Sequence, residues 1–169
     1  MINFKVGNLF ENFPSDKTVI IAHVCNDVGG WGSGFVVPLS KKFPLAEGAY
    51  RKWYASAEIN MPPPDRFELG RFQIVDVSTN KSIFVANMIA QHSTITRSPG
   101  TTPLRYWALC KCLRGVGEVA RSIHQTSDNN VELYCPMFGS GLAGGKWDII
   151  ETLIEESWEG IPTTVYKLE

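Results

Sequence analysis

Two short glycine-rich segments constrain the fold of this chain more than any other feature. In each, a run of apolar and β-branched residues ends, several glycines follow, and a helix-like apolar pattern resumes. The first segment covers residues 26–34, after the run 18–24, and the second covers residues 136–145, after the run 131–135. Strand, glycine turn and helix in this order are typical of open α/β sheets, which bind ligands at the carboxyl edge of their strands.

The periodicity of the apolar residues extends this pattern along the chain. Helical spacing predicts helices over residues 35–43, 45–57, 104–124 and 147–158. Alternating or short apolar runs predict strands over residues 2–6, 18–24, 72–77, 82–89, 131–135 and 163–168, the first of them half-buried. A polar turn joins the third and fourth strands, so these two should pair antiparallel. We therefore expect a single domain over residues 1–169, an α/β fold built as a three-layer α/β/α sandwich with a mixed central sheet of about six strands.

Two stretches interrupt this periodicity. Gly115 and Gly117 weaken the helical pattern of residues 104–124, by about 1 kcal/mol each relative to alanine. Residues 91–103 are polar and contain two prolines and a glycine, which is typical of a mobile loop.

Charge and hydropathy limit the classes of partner. With 17 acidic and 16 basic residues, the net charge is −1, which gives no overall attraction to nucleic acid or to an anionic membrane. No apolar run reaches the roughly 18 residues that span a bilayer, and the first residues lack the layout of a signal peptide. We therefore expect a cytoplasmic protein with no membrane partner and no general nucleic-acid binding.

The four cysteines, Cys25, Cys110, Cys112 and Cys135, do not form a C-x-x-C pair. Zinc and thioredoxin-like sites therefore lack their usual spacing. We expect reduced, mostly buried thiols, no metal site and no cofactor.

The glycine segments suit phosphate recognition, because exposed backbone amides before a helix form an anion site. The alternative is that the glycines only permit tight turns. The pattern G-x-G-x-x-G occurs at residues 139–144, but a dinucleotide fingerprint opens a longer βαβ unit. Here one helix and one strand follow, so we do not predict dinucleotide binding.

Several side chains near the first segment carry possible chemistry. His23, at the mouth of the loop, is either a base or nucleophile acting on a bound phosphate or a core residue. Cys25 lacks a basic neighbour in the sequence that would activate its thiol, so packing is the simpler role. His92 and Arg97, in or beside the polar stretch 91–103, are weaker candidates.

Asn26 and Asp27 end the strand before the first glycine segment. Asn26 either caps the turn or bonds a ribose hydroxyl, and Asp27 could orient a water or a sugar hydroxyl. Trp31 and Phe138 lie in or beside the two segments, where each ring either stacks on a ligand or anchors its loop in the core.

These motifs resemble the macro domain superfamily, whose members bind ADP-ribose and its derivatives. The resemblance rests on His23, the Cys25-Asn26 pair, the loop Gly30-Trp31-Gly32-Ser33-Gly34 and the later Gly139-Ser140-Gly141-Leu142 turn. It covers nearly the whole chain and is greatest to the stand-alone branch that includes ADP-ribose 1''-phosphate phosphatases.

The resemblance implies that the first loop holds the distal ribose and the second holds the diphosphate. It implies catalytic roles for His23, in removing the 1''-phosphate, and for Asn26, in placing the ribose. The ADP-ribose-binding residues that it implies are Asn8, Asp27, Gly30, Trp31, Gly32, Ser33, Gly34, Phe138, Gly139, Ser140, Gly141, Leu142 and Ala143.

Three positions depart from the family pattern. Asn8 replaces the more usual Asp that contacts adenine, and Ala143 stands where many members have an aromatic ring. The branch that removes ADP-ribose from glutamate side chains uses a Lys and an Asp, where this chain has Gln91 and Ala143. That mechanism is therefore not expected.

The resemblance thus implies an enzyme that binds ADP-ribose and hydrolyses ADP-ribose 1''-phosphate to ADP-ribose and phosphate. Two alternatives share the same pocket. One is a module that binds ADP-ribose or an ADP-ribosylated protein without chemistry. The other is a deacylase or ADP-ribosyl hydrolase that acts on an ADP-ribose ester.

Overall fold

The computed structural model describes residues 2–58, 66–80, 82–94, 102–126, 130–141 and 143–167. The strands are β1 (Ile2–Val6), β2 (Lys17–Asn26), β3 (Phe72–Asp76), β4 (Ile83–Gln91), β5 (Asn130–Pro136) and β6 (Thr163–Lys167). The helices are α1 (Val36–Lys42), α2 (Pro44–Ala55), α3 (Tyr106–Thr126) and α4 (Trp147–Ser157), and a short 3-10 turn (Ser56–Glu58) follows α2.

The six strands form one sheet in the order β1-β6-β5-β2-β4-β3. All neighbouring strands run parallel except β3, which pairs antiparallel with β4. The mixed six-stranded sheet and the antiparallel pair predicted from the sequence are confirmed. β5, β2 and β4 are adjacent, so the segments that follow them leave from the same edge.

Side chains of β2 alternate between two cores, one on each face of the sheet. Ile20 packs in the core that contains Leu109 of α3 and Ile154 of α4. Its neighbour Ile21 packs in the core that contains Tyr50 of α2. Because both faces of a mainly parallel sheet are covered, β2 is apolar almost throughout and forms the centre of a three-layer fold.

β1 is more exposed than predicted. Phe4 and Val6 are 48% and 67% exposed, so the expectation of a half-buried strand is wrong for most of its length. β1 is the last strand on its side of the sheet and pairs only with β6. The alternation of apolar and polar residues shows which face of a strand is apolar. How deeply that face is buried depends on the place of the strand in the sheet.

α3 runs without a break through Gly115 and Gly117. A Cβ on Gly117 would lie 2.6 Å from the backbone oxygen of Ser157, and one on Gly115 would overlap the ring of Phe72. The two glycines therefore let α3 approach α4 on one side and β3 on the other, which offsets their low helix propensity.

Three of the four cysteines, Cys25, Cys112 and Cys135, are buried, and all four are free thiols. No helix among the described residues is both long and apolar enough to cross a membrane. Within the same residues, no group of three or more acidic, His or Cys side chains is arranged to hold a metal ion. Arg97 and most of the loop predicted over 91–103 lie outside the described residues.

Candidate ligand site at the carboxyl edge of the sheet

Two glycine loops border the edge at which β5, β2 and β4 end. The first glycine loop, residues 27–35, joins β2 to α1, and the second glycine loop, residues 137–146, joins β5 to α4. Leu142, a predicted binding residue, lies outside the described part of the chain. The strand–loop–helix order predicted for both segments is therefore present at one edge.

The side chain of Asn26 organises the first glycine loop. Its Oδ1 accepts hydrogen bonds from the N–H groups of Val28 and Gly30, at 3.0 and 2.9 Å. Its Nδ2 donates to the Gly30 oxygen at 2.8 Å. The hydroxyl of Tyr50 lies 2.7 Å from the Asn26 backbone oxygen and 2.9 Å from Oδ1, so it donates to this pair from below. Asn26 thus caps the turn, which is one of the two roles predicted for it.

The outer part of this loop is open. Gly32, Ser33 and Gly34 are exposed, and a Cβ built on Gly32 or Gly34 would meet no atom within 4 Å. Gly29, at the inner end, has a φ of +77°, and a Cβ built on it would overlap the ring of Tyr54. The loop therefore has a packed inner end and an open outer end, where a ligand can reach the backbone directly.

Backbone hydrogen bonds close the second glycine loop on itself. The N–H of Gly145 donates to the Gly139 oxygen at 2.7 Å, and that of Gly144 donates to the Gly141 oxygen at 3.0 Å. The hydroxyl of Ser140 is used internally, donating to the Met137 oxygen at 3.0 Å. Gly141 is exposed at the tip, with no atom within 4 Å of a built Cβ.

The segment that follows β4 contacts both loops. On the near side, Thr94 Cγ2 would lie 3.0 Å from a Cβ built on Gly30. On the far side, Thr102 packs beside Gly144, and the N–H of Leu104 donates to the Ala143 oxygen at 3.2 Å. Three connections therefore meet at this edge and together form the candidate site.

Asp27 and His92 come together although they are 65 residues apart in the sequence. Oδ2 of Asp27 lies 2.7 Å from Nδ1 of His92, and Oδ1 accepts the N–H of Ser93 at 2.8 Å. The side chain of His92 is 56% exposed and that of Asp27 is 16% exposed. The sequence marked both residues separately but gave no sign that they pair.

His23 lies beneath the first glycine loop and not at its mouth. The residue is 1% exposed, and its ring packs edge-on against Trp31, with centroids 5.3 Å apart. Nε2 lies 2.5 Å from Oδ1 of Asn87, whose Nδ2 donates to the oxygens of Ala46 and Gln73. Because Asn87 accepts through Oδ1, Nε2 carries the hydrogen of the neutral ring. Burial lowers the His23 pKa to about 4.

Trp31 and Phe138 are both buried, which is the arrangement of loop anchors. The indole N–H of Trp31 donates to the hydroxyl of Ser40, fixing the ring against the second half of α1. Cys25 is also buried, and desolvation raises its pKa well above the usual range, so it is a packed thiol.

Asn8, another predicted binding residue, is exposed after β1, where its Oδ1 accepts the N–H of Phe10.

Comparison with solved structures identifies the fold family, although no family model matches the sequence. A Streptomyces coelicolor protein described as a macrodomain protein is 36% identical, with a TM-score of 0.75 and 98% of each chain covered. The chain belongs to the macrodomain family. A Bacteroides thetaiotaomicron protein of unknown function is 38% identical, with a TM-score of 0.83, covering 99% of this chain and 98% of that one.

A curated relative from Candida albicans is named ADP-ribose 1''-phosphate phosphatase. It is 27% identical over 162 residues, which cover 92% of this chain and 93% of the relative. The similarity therefore extends over almost the full length of both proteins.

Sequence reasoning missed two residues that support this macrodomain's site. Tyr50 lies within the predicted helix 45–57, and nothing in the sequence indicates that its hydroxyl fixes Asn26. Asn87 was not noted, although a lone amide inside an otherwise apolar strand is itself a signal, since buried polar groups need partners. Its partners are His23, Ala46 and Gln73.

A separate groove of about 580 Å³ lies between α3 and the start of β3. Trp107, Lys111 and Arg114 line it. It lies between helix and sheet, away from the glycine loops, and contains none of the predicted site residues. The candidate site is assigned to the sheet edge because exposed loop backbone lies there.

The buried state of His23 predicts an acid-sensitive stability. A histidine with a folded pKa of about 4 takes up a proton more readily when unfolded, so unfolding is favoured as the pH falls from 6.5 towards 4. Urea denaturation should show about 3 kcal/mol more loss over this range in wild type than in His23→Gln. The exposed His124→Gln variant is the control and should follow wild type. Equal pH dependence in wild type and His23→Gln would contradict a buried neutral ring.

Proposed function

We propose that this macrodomain binds ADP-ribose and hydrolyses ADP-ribose 1''-phosphate to ADP-ribose and phosphate. The observation that carries the proposal is the meeting of two glycine loops at one sheet edge, each with an exposed, unobstructed backbone at its tip. The name of the Candida albicans relative, which matches over almost its whole length, supports this substrate.

In this proposal the backbone of the loops supplies the anion contacts. Main-chain N–H groups that precede a helix favour phosphate oxygens, and both loops lead directly into helices. The second loop holds the diphosphate, and the first holds the distal ribose and its 1''-phosphate. The same N–H groups would stabilise the charge that develops on the phosphoryl oxygens during transfer.

The side chains beneath the first loop then act mainly by holding it in place. Asn26 fixes the positions of Val28 and Gly30, and its exposure of 9% leaves it at the border of the site. The catalytic role of His23 stays a prediction. Its burial favours a positioning role, in which the ring supports Trp31 and thereby the loop.

One alternative gains support from the same geometry. His23 is buried and neutral, and burial raises the Cys25 pKa well above its usual range. Neither side chain is therefore placed where it could attack a bound substrate as a nucleophile. This favours a module that binds ADP-ribose or an ADP-ribosylated protein without turnover. Hydrolysis of an acetyl or protein-linked ester of ADP-ribose would use the same loops. Only its substrate would distinguish this reaction from hydrolysis of the 1''-phosphate.

The deciding experiment is a calorimetric titration with ADP-ribose, followed by turnover assays on its 1''-phosphate, acetyl and protein esters. We expect saturable binding and release of inorganic phosphate from the 1''-phosphate. Binding without turnover of any ester would select the binding module, and turnover of only another ester would replace the substrate. If ADP-ribose does not bind, every form of the proposal fails.

The open tips of the loops give a test of where the ligand lies. Gly32→Val and Gly141→Val add side chains whose Cβ has no protein atom within 4 Å, so stability should stay within about 0.5 kcal/mol of wild type. Both side chains would occupy space assigned to the ligand, and ADP-ribose affinity should fall at least tenfold. Gly48→Val, also unobstructed but on α2, is the control for affinity. Unchanged affinity in both loop variants would place the ligand elsewhere.

A further inference from the structure

Asp27 determines which nitrogen of the His92 ring is open to a ligand. A carboxylate only accepts hydrogen bonds, so Nδ1 of His92 must carry the hydrogen directed at Oδ2 over 2.7 Å. In the neutral ring the lone pair is then on Nε2. Since the His92 side chain is more than half exposed while that of Asp27 is mostly sheltered, the ring is accessible and its orienting partner is protected.

The pair is held firmly by the backbone around it. The N–H of Asp27 donates to the Gln91 oxygen at 3.0 Å, and Oδ1 of Asp27 accepts the N–H of Ser93 at 2.8 Å. Ser93 has a φ of +63°, a left-handed conformation that non-glycine residues adopt at a cost of about 1 kcal/mol or more. This turn brings both the Ser93 N–H and the His92 ring to the same carboxylate.

The same turn borders the first glycine loop. Asp27 follows directly on Asn26, the residue that shapes the loop, and Thr94 packs against Gly30. His92 therefore lies between Asp27, at the end of β2, and Thr94, which contacts Gly30 of the first glycine loop. This is the side of the site to which the proposed function assigns the distal ribose and its phosphate.

Resting on that proposed function, we propose that His92 is the general base of the hydrolysis and Asp27 its positioning residue. Nε2 of His92 removes a proton from a water molecule while the water oxygen forms a bond to phosphorus. The bond between phosphorus and the 1'' oxygen breaks, and its electron pair stays on that oxygen, which takes a proton from solvent. His92 then releases its proton to solvent, so the ring is unchanged over one turnover.

The pair fits this role by the geometry that general-base catalysis requires. The carboxylate of Asp27 orients the His92 ring through Nδ1, and more than half of the side chain is exposed, which leaves Nε2 for a water molecule. His23 does not meet this condition, since its Nε2 donates to Asn87 and the ring is enclosed. The inference therefore moves the proton transfer from the buried histidine to the exposed one.

The test compares wild type with His92→Ala, His92→Gln and Asp27→Asn, using phosphate release for kcat and KM and calorimetry for ADP-ribose affinity. We expect kcat to fall about 100-fold or more in both His92 variants and at least about tenfold in Asp27→Asn. In the two His92 variants, KM and ADP-ribose affinity should stay within threefold of wild type. Added imidazole should restore part of kcat in His92→Ala but not in His92→Gln, where the side chain still fills the space. His124→Ala, an exposed histidine on α3, should match wild type.

The outcomes separate this inference from the function on which it rests. If wild type releases phosphate and His92→Ala does so equally well, the base is another group and the proposed function stands. If both His92 variants lose ADP-ribose affinity together with turnover and imidazole restores nothing, His92 is structural and the inference is overturned. If wild type binds ADP-ribose but releases no phosphate, the proposed hydrolysis fails and the inference fails with it.

Discussion

The hydrogen bonds of the Asn26 side chain are the interaction on which the site depends most. At the end of a buried strand the chain must turn sharply, and the polar groups of the turn lose the partners that the sheet supplied. Asn26 replaces them by bonding Val28 and Gly30, and Tyr50 fixes Asn26 in turn. One amide thus converts a strand end into a loop whose outer residues remain open to a ligand.

A second polar arrangement lies beneath this loop and has a different consequence. His23, Asn87 and Gln73 are linked by hydrogen bonds across β2, β4 and β3. Buried polar groups are costly unless they are satisfied, and here the described residues leave no buried side-chain polar atom unpartnered. The arrangement holds a neutral histidine under Trp31, so His23 supports the loop, and the proposed proton transfer is assigned to the exposed His92.

Local pattern was sufficient to predict the sheet and the two glycine loops. Alternating or short apolar runs predicted the six strands and helical spacing predicted the four α-helices, because both patterns are set by which faces of an element are buried. Depth and long-range pairing were not predictable in this way. The exposure of Phe4 depends on the place of β1 in the sheet. The burial of His23 depends on the packing of Trp31 above it. The pairing of Asp27 with His92 depends on the adjacency of β2 and β4.

ADP-ribose is proposed to bind across the two glycine loops, and a nitrogen-15 NMR titration with ADP-ribose checks this claim at each backbone amide. Saturable shifts should be concentrated in the backbone amides of residues 27–35 and 137–146, with His92 among the affected residues. The amides around Trp107, in the groove between α3 and β3, should not move and serve as the internal reference. Shifts concentrated in that groove, with the loop amides unchanged, would contradict the claim.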